Sequence, residues 1–241
     1  LVPFYDRDGI TIYNGDCLAI MGKLKVDAIV TDPPYALNYV SDTGGKITGD
    51  KVRDFRRMLL KLPKAFAHTD ANTLGMFTRW DIWRDMHESF DKLWPPCTCV
   101  IWDKDDNGRG NCNHVGMAHE MVYVSAPANH VMRVGGKRVH NIIRCKKNRT
   151  VGMLHPTEKP VPVMQWLIEA LCPVGGLVLD PFMGSGTTLV AAKLLGRRAI
   201  GIELDATHCQ TAVDRLTGTL SFDCQNVQGD GSPDTQPNQI R

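Results

Sequence analysis

The residues best placed to do chemistry are Asp32-Pro33-Pro34-Tyr35, which close the apolar run Val26-Asp27-Ala28-Ile29-Val30-Thr31. A buried strand that ends in an acid, two prolines and an aromatic delivers a site at its carboxyl end. Pro33 and Pro34 fix φ and remove two backbone donors, so the turn is stiff and offers acceptors: the Asp32 carboxylate and the local carbonyls. Tyr35 adds a flat face with a polar tip, suited to stacking a heterocycle. Acceptors beside a stacking platform suit an aminopurine or aminopyrimidine. The plain alternative is a strand followed by a Pro-rich turn.

A second stretch completes such a site. Phe182-Met183-Gly184-Ser185-Gly186-Thr187-Thr188 lies between a predicted strand and a predicted helix, and Glu203 ends the next strand roughly twenty residues on, the spacing at which an acid reaches ribose hydroxyls. A dinucleotide fingerprint wants a third glycine where Leu189 stands, and the loop has no phosphate-binding lysine. A nucleoside without pyrophosphate fits better. S-adenosylmethionine is such a ligand, and its zwitterionic methionine end requires a cation such as Lys159. A tight turn in a purely structural βαβ unit is the competing account of the loop.

The elements that must position these stretches follow from periodicity and turn signals. Strands are predicted at Ile10–Tyr13, through the run ending at Thr31, at Thr73–Thr78, Thr98–Trp102, Glu120–Val124, Gly176–Asp180 and Arg198–Glu203. Helices are predicted near Leu18–Leu24, from about Lys51 to Phe66, near Ile82–Leu93, Thr187–Leu195 and Ala206–Leu216. Another runs through Met164, Trp166, Leu167, Ile168 and Leu171, with Thr157 as its N-cap. The strands at Thr98 and Glu120 fit an antiparallel edge around a long loop. Ala36 to Asp50, polar and Gly-rich, reads as a lid. Ala126 to Thr150 has no sustained period, and 223–241 is a polar tail expected to be disordered. The organisation expected is one domain over 1–222: a catalytic half 1–125, a recognition insert about 126–150 and a cofactor half 151–222.

With 241 residues the chain has ample material for one large α/β domain, and no apolar run approaches a membrane span. The amino terminus lacks a signal-peptide pattern, which predicts a cytoplasmic protein. Cys17, Cys145, Cys172, Cys209 and Cys224 are scattered among predicted elements, as reduced thiols are. Cys97, Cys99, Cys112, His114 and His119 lie closer together, but C-x-C is not zinc-knuckle spacing, and no metal site is expected. The net charge of +2 hides an uneven distribution. Arg133, Lys137, Arg138, Arg144, Lys146, Lys147 and Arg149 carry seven positive charges with no acid among them, so the remainder is net −5 (+2 − 7). Such a segment suits a phosphate-tracking surface, and also an ordinary solvated loop.

Taken together the motifs resemble a known family, the amino-group (N6-adenine/N4-cytosine) DNA methyltransferases of the permuted β class. Four blocks match in that class's order: Asn14-Gly15-Asp16-Cys17 leading to Asp32-Pro33-Pro34-Tyr35; Ile101-Trp102-Asp103-Lys104 with Glu120 downstream; His155 to Pro160; and Asp180-Pro181-Phe182-Met183-Gly184-Ser185-Gly186-Thr187 leading to Glu203. The resemblance implies an α/β, Rossmann-like S-adenosylmethionine-dependent methyltransferase fold with a seven-stranded, mostly parallel sheet and helices on both faces. It implies that Asp16 and Cys17 border the cofactor adenine, that Glu203 takes the ribose hydroxyls, and that Thr157 and Lys159 hold the methionine carboxylate. Phe182 and the backbone of Gly184 to Gly186 then line the cofactor, in a turn bounded by Asp180 and containing Ser185 and Thr187; His155 is similarly placed or merely orients this loop.

The reaction so implied is methyl transfer to an exocyclic amine of a base flipped from double-stranded DNA, leaving S-adenosylhomocysteine. Adenine N6 is the acceptor expected, because in this family Asp at the first motif position is commoner for adenine and Ser for cytosine; cytosine N4 is the alternative. A catalytically silent DNA-binding subunit is the reading from another class. The short insert makes a homodimer plausible as a way to hold the duplex, with or without a restriction partner.

Overall fold

The computed structural model describes residues 1–34, 52–105, 117–146 and 158–218, with side chains of the second segment from 57 onward. Strands β1 (Tyr5–Arg7), β2 (Ile10–Asn14), β3 (Ala28–Thr31), β4 (Thr73–Thr78), β5 (Thr98–Asp103), β6 (His119–Ser125), β9 (Ile142–Arg144), β10 (Leu177–Asp180) and β11 (Arg198–Glu203) form one sheet; β7 (Arg133–Val134) and β8 (Lys137–Arg138) form a separate hairpin. The sheet order is β1-β2-β11-β10-β3-β4-β6-β5-β9. Strands β2, β11, β10, β3 and β4 are mutually parallel; β1 and β6 run against their neighbours, and β9 runs parallel to β5.

The sheet therefore has nine strands where seven were expected. The additional two are its edges. Three-residue β1 folds back on β2 through a turn at Asp8-Gly9, both with positive φ, and β9 adds to the outer side of β5. Both are too short for periodicity to register.

Alternation along the central strands shows why the sheet is covered on both sides. Ala28 and Val30 of β3 enter one core cluster and Ile29 the other. Helices α4 (Val161–Leu171), α5 (Thr187–Leu194) and α6 (Ala206–Leu216) supply the first cluster. α1 (Cys17–Ile20), α2 (Val52–Ala67) and α3 (Trp83–Phe90) cover the other face, with Leu59, Leu62, Phe66, Met86 and Phe90 buried there. A parallel sheet sandwiched by helices buries continuous Val/Ile/Leu runs, which is how β3 and β10 read.

Three local expectations change. Helix α4 begins at Val161, with Pro160 extended at the N-cap and no side-chain cap bond, so the helix starts later than a Thr157 cap requires; Pro162 fills an early helical position where its missing N–H costs nothing. Thr157 itself lies outside the described residues, as do the proposed lid at 36–50 and the tail. Segment 126–146, expected to lack regular structure, contains the β7–β8 hairpin and β9. Met132, Val134 and Val139 pack against the core, and Gly135 N–H donates to Glu169 on α4 at 2.6 Å. The predicted helix near Leu18–Leu24 is only α1 followed by a 3-10 turn at Met21–Lys23.

Strand direction fixes where a site can form. After β3 the chain moves to β4 on one side, and after β10 it moves to β11 on the other. The carboxyl ends of β3 and β10 therefore flank the point where the strand order reverses, the crevice at which open α/β sheets bind ligands.

Candidate active site

At that crevice the two strand ends are tied together by a buried acid. Asp180, the last residue of β10, accepts from Thr31 Oγ1 on β3 at 2.6 Å, from Phe182 N–H at 3.1 Å and from the Thr188 hydroxyl. Burial, only partly offset by these donors, pushes its carboxyl up to about 6. Asp180 thus organises the glycine turn from behind, and its oxygens are taken by protein groups.

The turn that follows has the shape a ligand needs. Gly184 and Gly186 have φ of 51° and 84°, a left-handed backbone that glycine adopts without strain. A Cβ on Gly184 would meet no atom within 4 Å, so the space before it is open; one on Gly186 would lie 2.6 Å from the Ala212 Cβ, so helix α6 presses directly behind. Glu203, at the end of β11, accepts from Gly184 N–H at 3.0 Å and from Asp205 N–H at 2.9 Å, and His208 Nδ1 lies 3.8 Å from it. Burial works against its charge, but His208 and the two N–H groups outweigh burial and hold the carboxyl below its ordinary value. On the far side, Asn14 Nδ2 donates to the carbonyls of Glu203 and Leu204, both at 3.0 Å, and Gly15 N–H bonds the Glu203 carbonyl at 2.9 Å. This fixes exposed Asp16, the N-cap of α1, beside the end of β11. The neighbouring Cys17 thiol is pushed up to about 12 by burial and then by Asp16, and so is no nucleophile near neutral pH.

Asp32 follows β3 directly, with Pro33 buried behind it and Pro34 half-buried. Its Oδ2 lies 2.5 Å from Lys159 Nζ. Lys159 also reaches Glu120 Oε2 at 3.1 Å, while Glu120 Oε1 pairs with Lys104 Nζ at 3.0 Å. The result is an alternating row, Asp32, Lys159, Glu120, Lys104. The Lys159 side chain is only 9% exposed and its ammonium lies over the Phe77 ring, 4.9 Å from the centroid. Burial opposes its charge, yet Asp32 and then Glu120 more than compensate and raise it. Glu120 is likewise penalised by burial but held down at about 2 by Lys159 and Lys104.

Lys159, expected at the methionine carboxylate, is thus engaged with Asp32 and Glu120. Ser185 and Thr187 are buried against Arg215 and Glu158. Phe182 packs half-buried at the crevice. Tyr35, His155, Thr157, Lys147 and Arg149 lie outside the described residues. The remaining basic residues divide. Arg133, with His130 and Glu169, shares a cleft of about 350 Å³ with Asp27, just before β3, and with Asn72 and Thr73 at the start of β4, so the hairpin bearing Arg133, Lys137 and Arg138 lies toward the strands' amino ends. Arg144 and Lys146 lie at the carboxyl end of β5, 3.8 Å from Asp103 and 3.4 Å from Asp105 respectively. Only this pair shares an end of the sheet with Asp32.

Sequence reasoning gave no task to Lys104, Glu158, His208 or Arg215. Lys104 and Glu120 had a signal, since they belong to a block of the resemblance. Arg215 had none, because a basic residue in a helix's last turn is common for electrostatic reasons alone.

A doubly wound sheet with an acid and two prolines at one strand end, and a glycine turn with a carboxylate at the next two, defines a Rossmann-like methyltransferase architecture. The family model for N6/N4 methylases, described as DNA methylase, matches residues 26–214, and the chain belongs to that family. It is 39% identical over 261 aligned residues to the type II methyltransferase M.ScaI of Streptomyces caespitosus, covering 89% of this chain and 83% of that protein. It is 25% identical to the type II methyltransferase M2.DpnII of Streptococcus pneumoniae, covering 89% and 92%. Among solved structures, the M1.HpyAVI–SAM complex superposes with a TM-score of 0.66 at 27% identity, covering 86% of this chain and 99% of that one. The PvuII cytosine-N4-specific DNA methyltransferase shares the fold, with a TM-score of 0.71 at 16% identity.

The Glu120 pairing has a measurable consequence. Its carboxyl is depressed from 4.5 to about 2, so its stabilising contribution is fully present above pH 4.5 and is lost as pH falls toward 2. Between pH 6 and pH 3, urea denaturation should show the wild type losing roughly 2 kcal/mol more than Glu120→Gln. Parallel pH profiles for the two proteins would show that the pairing is not made.

Proposed function

We propose that this protein transfers a methyl group from S-adenosylmethionine to the exocyclic N6 amine of adenine in double-stranded DNA. The observation that carries this reading is the placement of Asp32, at a strand's carboxyl end, directly beside the strand that feeds the Gly184–Gly186 turn. The donor set suits the cofactor: an open left-handed glycine turn for close backbone approach, the Glu203 carboxylate for a ribose diol, and Asp16 and Phe182 at the border for an aminated heterocycle. When bound, S-adenosylmethionine supplies an electrophilic methyl group on a sulfonium.

The chain's own residues supply the remainder. An exocyclic amine is a poor nucleophile because its lone pair is delocalised into the ring. Asp32 and the Pro33 carbonyl accept its two hydrogens, which draws the lone pair toward the incoming carbon as charge develops. The nitrogen gains the methyl group and releases one proton, to Asp32 or through it to water. Lys159 holds the Asp32 carboxylate in one orientation, and Glu120 balances the charge that Lys159 brings. The prolines keep the backbone stiff, so much of the rate comes from positioning. The reaction needs no cysteine nucleophile, and the buried thiols of Cys17, Cys172 and Cys209 are all raised, first by burial.

Cytosine N4 is the second reading, favoured by the shared fold of the PvuII enzyme. Asp32→Ala should lower DNA methylation by about a thousandfold or more while cofactor affinity stays within about threefold. Nucleoside analysis of the methylated DNA should return N6-methyladenine, and N4-methylcytosine would select the second reading. An active alanine variant would remove Asp32 from the chemistry.

Arg144 and Lys146 are proposed phosphate contacts, because they lie on the edge of the same sheet end as Asp32. Neutralising both should reduce the slope of log affinity against log salt by about 2. An unchanged slope would place the DNA elsewhere.

A further inference from the structure

Arg215 lies on α6 and is 3% exposed. Its Nη1 donates to the Ser185 carbonyl and hydroxyl, both at 2.9 Å, and to Thr187 Oγ1 at 3.2 Å. Its Nη2 pairs with Glu158 Oε1 at 2.5 Å, and the Thr187 hydroxyl reaches that same oxygen at 3.3 Å. A guanidinium taken out of water is costly, and apolar packing fills such a position at less cost. Ala212, one turn earlier on the same helix, does so against Gly186. The planar fork at Arg215 therefore calls for an account beyond filling space.

The partners supply it. Ser185 and Thr187 flank Gly186 in the glycine turn. Glu158 precedes Lys159, whose ammonium is held between Asp32 and Glu120 at 2.5 and 3.1 Å. One peptide unit, about 3.8 Å between Cα atoms, separates the residue held by Arg215 from the residue that holds Asp32. So short a link leaves no slack, and a shift at either end is felt at the other. We propose that Arg215 is a positioning residue that sets the glycine turn and the catalytic acid in one frame through the Glu158-Lys159 pair. The proposal rests on the methyl-transfer reading and extends it: Arg215 touches neither the base nor the methyl group, yet both halves of the site are registered against it.

Arg215→Lys and Glu158→Gln test this. Lysine keeps the charge but offers a point donor that cannot serve Glu158, Ser185 and Thr187 together. Glutamine keeps the shape of residue 158, leaves Arg215 its bonds to the turn and removes the ion pair, so it carries the test if the lysine variant fails to fold. In folded protein, S-adenosylhomocysteine binding by calorimetry should weaken about threefold or more in Arg215→Lys, and single-turnover methyl transfer to DNA at saturating cofactor should slow about tenfold in each variant. Because both changes break one link, the double variant should be no slower than the slower single one. Transfer within about twofold of wild type in the folded variants, or penalties that multiply in the double variant, would reduce Arg215 to a packing role and overturn the proposal. A wild-type protein that binds S-adenosylhomocysteine but methylates no DNA would sink the functional reading instead; unchanged affinity in Arg215→Lys would then still overturn the placement of Arg215 behind the turn.

Discussion

The burial of one ammonium group organises the centre of this protein. Lys159 sits at the carboxyl end of β3, over the Phe77 ring, and stays charged because Asp32 and Glu120 approach it from two directions. Each of the three comes from a different part of the chain: Asp32 from the end of β3, Glu120 from the antiparallel strand β6, Lys159 from the approach to α4. Of the three only Lys159 is nearly buried, so losing either acid leaves its ammonium with half of its compensation, a situation more costly than a lost surface ion pair. This row holds the approach to α4 against the ends of β3 and β6.

A second buried acid works differently. Among the described residues Asp180 meets hydroxyls and an N–H rather than a cation, and burial raises its carboxyl toward neutral. Its task is geometric, since it joins β3 to β10 where the strand order reverses. Two carboxylates at adjacent strand ends thus divide the labour, one paired with lysine and the other spent on backbone and hydroxyl donors.

The sequence made the central strands legible because they are buried on both faces and bounded by turn residues; β4, β11 and α6 have the limits that periodicity assigns. The edge strands β1 and β9 and the β7–β8 hairpin were not legible. They are two to three residues long, too short for a period to show, and β9 and the hairpin depend on β5 and Glu169, partners distant in sequence that no local pattern encodes. Among the site residues, Asp32, Gly184, Gly186 and Glu203 stand where motif spacing puts them. Lys159, which the resemblance assigns to the cofactor's methionine carboxylate, meets two protein carboxylates here. Asp32 and Glu120 lie 127 and 39 residues away from it in sequence, separations that no local pattern spans. Arg215 shows the same limit, because its worth lies entirely in long-range partners.

The central claim is that Lys159 serves the catalytic acid, and Lys159→Met tests it most directly by separating cofactor affinity from turnover. Methionine keeps much of the side chain's length and removes its charge. The account predicts that methyl transfer at saturating S-adenosylmethionine falls by about a hundredfold while the cofactor's Kd moves by less than about threefold. A variant that loses cofactor affinity by about a hundredfold, yet transfers methyl groups at the wild-type rate once saturated, would place Lys159 at the methionine carboxylate and contradict it.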